Sequence, residues 1–182
     1  MEYINKVINR QDYAFSYKME IFEIMMYTIV SFFLPLMIGH PQIIVGVVVN
    51  ALLISSALNI RGYKLLPVII APAFGAFSRG ILFGPFTIFL VYMIPFIWIG
   101  NAILVYVFKE LNLHKKINRW ITLLAGSILK AAFLFSVAFT FVKAGILPAL
   151  FLTTMGFFQL YTAILGGIMA LGLQSVRKRF AA

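Results

Sequence analysis

Apolar segments of near membrane-spanning length follow one another along almost the whole chain, from Glu20 to Val176, with only short polar or Pro/Gly-containing breaks between them. A helix needs about 20 residues to cross the ~30 Å hydrocarbon layer, and a bilayer is the solvent that such a succession suits. The alternative, a water-soluble fold, lacks the side chains to cover its surface. Charged residues make up 11% of the chain, and the acids number five: Glu2, Asp12, Glu20, Glu23 and Glu110. A soluble domain carries about 25% charged residues. The expectation is an all-α membrane protein, one bundle of six transmembrane helices with the N-terminus and the C-terminus cytoplasmic.

The breaks divide the chain as follows. Residues 1–19 form a cytoplasmic amphipathic segment, with Tyr3, Ile4, Val7 and Ile8 at helical spacing, and read as a short helix lying on the membrane surface. The segment has no apolar core ending in a small-residue cleavage site, so a signal peptide is not expected. Residues 20–176 form the transmembrane domain, and 177–182 a basic cytoplasmic tail. The expected spans are Glu20 to Ile38, Gln42 to Leu58, Leu65 to Phe83, Phe86 to Phe108, Trp120 to Val142 and Ala149 to Val176. Gly39-His40-Pro41 and Gly84-Pro85 are expected turns, and 109–119 is expected as the most polar loop. Pro67, Pro72 and Gly75 interrupt the third span, which places it inside the bundle or beside a cavity, where neighbours can re-satisfy the backbone.

The formal charge of +10 would suggest nucleic acid in a soluble protein. Here the basic residues gather at segment ends. With the N-terminus inside, Lys6, Arg10, Lys18, Arg61, Lys64, Lys109, Lys115, Lys116, Arg119, Arg177, Lys178 and Arg179 all become cytoplasmic, twelve of the fifteen. That asymmetry sets the orientation, with the cell membrane as the expected location.

Three basic residues fall elsewhere. Lys143 lies outside, Arg79 near the outer end of the third span, and Lys130 near the middle of the fifth. A lysine at mid-bilayer costs roughly 2.5–3.5 kcal/mol on insertion scales. No carboxylate lies at its depth, so its partner must be neutral dipoles, water or a bound anion. Arg79 has the geometry to hold a carboxylate or phosphate, or to anchor its helix to headgroups. Asn50, Asn101 and Gln159 are amides among apolar neighbours, suited to interhelical hydrogen bonds or to a polar ligand. Trp98 lies deep enough to stack on a flat ligand. The expected substrate-binding set is Arg79, Trp98, Asn101, Lys130 and Gln159. Gly46 to Leu53 and Ile99 to Leu104 share an Asn-Ala pair, Asn50-Ala51 and Asn101-Ala102, a faint internal echo.

No catalysis, cofactor or metal is expected. The chain has no cysteine, no paired membrane carboxylates and no Gly-rich phosphate loop, and His40 and His114 fall at opposite faces. Small residues at Ala163, Gly166, Gly167 and Ala170, and at Ala71 and Gly75, have the small-xxx-small spacing of close helix contacts.

In size, expected span count and orientation the chain resembles the substrate-binding S components of energy-coupling-factor vitamin transporters. Phe89 to Phe108, FLVYMIPFIWIGNAILVYVF, and Phe158 to Gly172, FQLYTAILGGIMALG, are similar to segments of small bacterial membrane proteins of that set. The resemblance implies a subunit that captures a small anionic or zwitterionic nutrient from outside. It would then dock on a transmembrane coupling subunit driven by ATPases, with membrane lipids as its other partners and no nucleic acid. S components typically dock through an Ala-xxx-Ala face on the first span. Ile21 to Ile38 contains neither Ala nor Gly, so docking would fall to the third or sixth span. The alternative is a scaffold of the rod-shape type, which has the same helical layout and binds no nutrient.

Overall fold

The computed structural model of the protein describes residues 2–12, 16–38, 41–80 and 87–181, with the side chains of 87–88 and 178–181 outside that description. The expected turns at Gly39-His40 and Gly84-Pro85, the end of the third span at Phe83 and the side chains of Lys178 and Arg179 lie outside the described residues.

The described chain is all-helical. Its elements are α1 (Glu2–Ile8), α2 (Tyr17–Met37), α3 (Gln42–Asn59), a 3₁₀ turn (Gly62–Leu65), α4 (Leu66–Arg79), α5 (Thr87–Val107), π-helical turns (Phe108–His114), α6 (Arg119–Lys143), α7 (Leu150–Met155) and α8 (Phe157–Ala181). Five helical runs are long and apolar enough to cross a membrane: Tyr17–Met37, Gln42–Asn59, Phe89–His114, Arg119–Lys143 and Leu150–Arg177. Their outward faces are apolar as well. Phe22, Met25, Ile29 and Phe33 are exposed on α2, and Ile121, Leu124, Ile128 and Phe135 on α6. Such surfaces suit hydrocarbon and not water.

The third expected span is the exception. α4 has 14 residues and so a length of about 21 Å, short of the ~30 Å layer. It ends at Gly80, whose φ of 69° is the left-handed conformation that closes a helix at low cost in glycine.

Local signals begin the helices where side chains can satisfy free N–H groups. Ser16 Oγ accepts from the Met19 amide at 3.4 Å, and Asn118 Oδ1 from the Trp120 amide at 2.8 Å. The expected sixth span is two helices. Gly156 breaks it with φ −97° and ψ −89°, at a point where a Cβ would lie 2.8 Å from both the Leu152 carbonyl and the Phe135 ring.

Packing is tightest where glycine removes the Cβ. A Cβ on Gly75 would lie 2.1 Å from the Phe32 carbonyl oxygen, so α4 rides on the backbone of α2. A Cβ on Gly166 would lie 2.5 Å from the Val47 carbonyl oxygen, which joins α8 to α3. Ala163 and Ala170 are fully buried and Gly167 faces Leu123. The small-residue faces expected to dock a partner are thus spent inside the bundle.

The six ion pairs of the described residues gather at one end, which holds the start of α2 and α6 and the end of α3, α5 and α8. Arg177 pairs with Glu23 at 2.6 Å, Tyr27 donates to Glu23, Asn59 to Tyr27, Gln174 to Asn59 and Asp12, and Arg119 to Asp12. This chain of bonds ties α2, α3, α6, α8 and the N-terminal segment together. Lys109 is fully buried beside it and donates to the carbonyls of Ile60, at 2.5 Å, and Arg10. A cation at the carbonyl end of α3 is favoured by the helix dipole.

Two expectations change here. The stretch expected as the polar loop 109–119 is helical as far as His114, because Lys109 and Glu110 find partners within the bundle end. The N-terminal helix caps that end: Val7 is fully buried, Tyr3 donates to Glu110 at 2.7 Å, and its ring meets His114 edge-on.

Candidate functional site

α6 carries Lys130 into the middle of the bundle, where it is 2% exposed. Eleven residues separate it from Arg119, so it sits about 17 Å along the helix from the charged end. Its Nζ donates to Asn50 Oδ1 on α3 at 2.6 Å and to Asn101 Oδ1 on α5 at 2.8 Å. No described carboxylate pairs with it. The burden of a buried cation is therefore met by two amide dipoles, both themselves buried.

The orientation of both amides is set from behind. Asn50 Nδ2 donates to the Gly46 carbonyl at 2.9 Å and to Thr162 Oγ1 at 3.2 Å. Asn101 Nδ2 donates to the Ile69 carbonyl at 3.0 Å. With their N–H groups engaged there, the amide oxygens turn to the lysine. Ile69 lies in the turn of α4 before Pro72, whose missing N–H and bulky ring loosen the helix's own ladder. Trp98 Nε1 donates to the next carbonyl, Ile70, at 3.3 Å. α5 thus hydrogen-bonds two successive carbonyls of α4 close to its proline.

Beside Lys130 lies a cavity of about 100 Å³. α2, α3, α4, α5, α7 and α8 all contribute to its wall, which includes Gln42, Asn50, Ala73, Asn101, Met155 and Gln159. Pro35, Gln42, Ala76 and Gln159 belong to the helix halves away from the charged end, so the cavity extends from Lys130 toward the opposite end. Among the described residues that opposite end holds two charges, Arg79 and Lys143.

Three of the five expected site residues come together: Lys130, Asn101 and Gln159. The other two are placed elsewhere. Arg79 Nη1 donates to the carbonyls of Leu36, at 2.7 Å, and Met37. It closes the free carbonyl end of α2, a role that the helix dipole also favours. Trp98 packs its ring on Phe74, 5.3 Å between centroids, and is absent from the cavity wall.

Two residues of the site fell outside the expected set. Asn50 is a direct partner of Lys130. The echo of Asn50-Ala51 and Asn101-Ala102 was its signal, since both asparagines of the echo meet on one ammonium. Gln42 carried no signal beyond its place at the start of α3. Among the described residues no three His, Asp or Glu side chains come together as a metal site. Protein-family models, curated proteins and solved structures give no match to this chain, so the functional reading rests on the lysine and its cavity.

Proposed function

We propose that the protein is the membrane-embedded substrate-capture subunit of a micronutrient importer and works with separate ATPase and transmembrane partner subunits. The observation that carries this reading is Lys130. It is buried, it is uncompensated by any carboxylate, and it borders a cavity in the bundle. Ionisable groups at membrane depth mark ligand and ion pathways more often than packing. The reading has six crossings, with α4 as a short sixth that packs one face on α2 and leaves Leu66, Phe74 and Phe77 exposed on the other. It puts the charged end and both termini in the cytoplasm, because the charged end collects the Lys and Arg residues. The cavity then faces outward, the side from which a nutrient arrives.

A second reading, a non-transporting scaffold, is favoured by one observation. Lys130 and Arg79 each already find two protein acceptors within the bundle.

Native mass spectrometry separates the two. Wild-type protein released from micelles should carry a small-molecule adduct that Lys130→Met protein lacks. Bare wild-type protein from cells grown in rich medium, with no stabilisation by any member of a metabolite panel, contradicts the capture reading.

A further inference from the structure

We infer that the ligand of this cavity is a small monocarboxylate, seated with its carboxylate on Lys130 and its carbon chain directed toward Met155 and Leu90; this deepens the capture reading and rests on it. Hydrogen-bond accounting comes first. An ammonium has three N–H donors. Two of those on Lys130 are taken by Asn50 and Asn101. The third has no acceptor among the described residues, on a side chain that is 2% exposed and lines the cavity. A buried donor of a charged group is costly to leave unmet. The cavity is the space from which an acceptor can come.

Charge comes second. Among the described residues, Lys130 is the one ionisable side chain in the cavity wall. One positive charge on a buried side chain balances one negative charge. A doubly charged phosphate would keep an unpaired charge among apolar walls, which is unfavourable. Zwitterions fail for the complementary reason, since no carboxylate in the wall could receive their ammonium group. The amide donors of Asn50 are spent on Gly46 and Thr162, so that side chain offers the ligand nothing but the oxygen already facing lysine.

Size and polarity come third. About 100 Å³ is less than the roughly 150 Å³ of a cavity that admits benzene. Apart from the lysine cluster and the amides Gln42 and Gln159, the wall is mostly aliphatic, with Val45, Val49, Ala73, Leu90, Ile97 and Met155. A carboxylate with a short aliphatic chain matches both its volume and its surface.

Thermal unfolding of the purified protein in detergent tests the inference with acetate, propionate and butyrate. The controls are butyramide (same shape, no charge), 4-aminobutyrate (added ammonium) and inorganic phosphate. At least one of the three carboxylates should raise the unfolding midpoint saturably, and the controls should not. Apparent affinity should fall about 10- to 100-fold in Lys130→Met, the worth of one charge-assisted hydrogen bond. Ala73→Leu fills the cavity from α4 while leaving Lys130, Asn50 and Asn101 unchanged in sequence and should abolish the shift, which keeps the test independent of folding at position 130. Butyramide, 4-aminobutyrate or phosphate acting as well as the carboxylates would overturn the monocarboxylate assignment and leave a ligand site standing. Failure of all three carboxylates would overturn it too. A Lys130-dependent adduct in the native mass spectrum would then preserve the capture reading, and its absence would remove both.

Discussion

The closest approach of a glycine to the backbone of another helix, among the described residues, makes a graded prediction. A Cβ on Gly75 would stand 2.1 Å from the Phe32 carbonyl oxygen. Ordinary contact begins near 3.4 Å, so the methyl group is short of room by 3.4 − 2.1 = 1.3 Å. The obstacle is backbone, which cannot rotate away, so α2 and α4 must separate along their shared face. Overpacking costs typically 1–3 kcal/mol, and a backbone obstacle places Gly75→Ala near ~3 kcal/mol. At about 2–4 °C per kcal/mol for a chain of this length, the unfolding midpoint should fall by roughly 6–12 °C. Gly167→Ala meets Leu123 Cδ1 at 2.0 Å, the far end of a side chain that can move, and should cost about 1 kcal/mol. Gly172→Ala meets nothing within 4 Å and should lose no stability, since alanine is the better helix former by about 1 kcal/mol. Thermal unfolding of the three variants in one detergent reads the order directly. Equal midpoints for Gly75→Ala and Gly172→Ala would refute the close approach of α2 and α4.

The buried lysine cluster makes a prediction of coupling. Lys130→Met removes the desolvation cost of the cation but strips two buried amide oxygens of their donor, so its net effect on stability should be small. In a double-mutant cycle with Asn50→Leu the two changes should couple by about 1–2 kcal/mol; additivity within ~0.5 kcal/mol would mean that the bond at 2.6 Å contributes nothing. At the charged end, Lys109→Met leaves the Arg10 and Ile60 carbonyls without their donor. Hydrogen exchange in residues 2–12 should then speed up while that of α3 at Val49 to Leu53 stays protected, and unchanged exchange in 2–12 would show that α1 is held by Val7 and Tyr3 alone.

Much of the fold was legible because apolar periodicity and chain length carry it. The boundaries of α2, α3 and α6 fall within a few residues of those expected from the polar breaks. The α7–α8 break at Gly156 was not legible, since one glycine in an apolar run signals nothing until Phe135 is seen to occupy the place of its Cβ. The docked α1 was missed for a similar reason. Val7 at helical spacing fits a membrane surface as well as a protein groove, and only Lys109, buried a hundred residues later, decides between them. In the site, Lys130 stood out because a charge in an apolar run is anomalous by itself. Asn50 and Gln42 are less anomalous, and their place depends on which faces of α3 and α8 meet. The placement of Arg79 and Trp98 off the cavity wall was not legible because the backbone carbonyls they bond leave no mark in a sequence.

The central claim is that a cavity above Lys130 faces the outside of the cell. The chain contains no cysteine, so a single Gln159→Cys substitution gives one thiol on the cavity wall. Its reaction with a small, membrane-impermeant thiosulfonate in intact cells is the most direct test. The account predicts labelling from outside, slowed at least several-fold by the small molecule that the wild-type protein retains. Reaction only after the membrane is permeabilised would contradict it, because the cavity would then face the cytoplasm and could not receive a nutrient from outside.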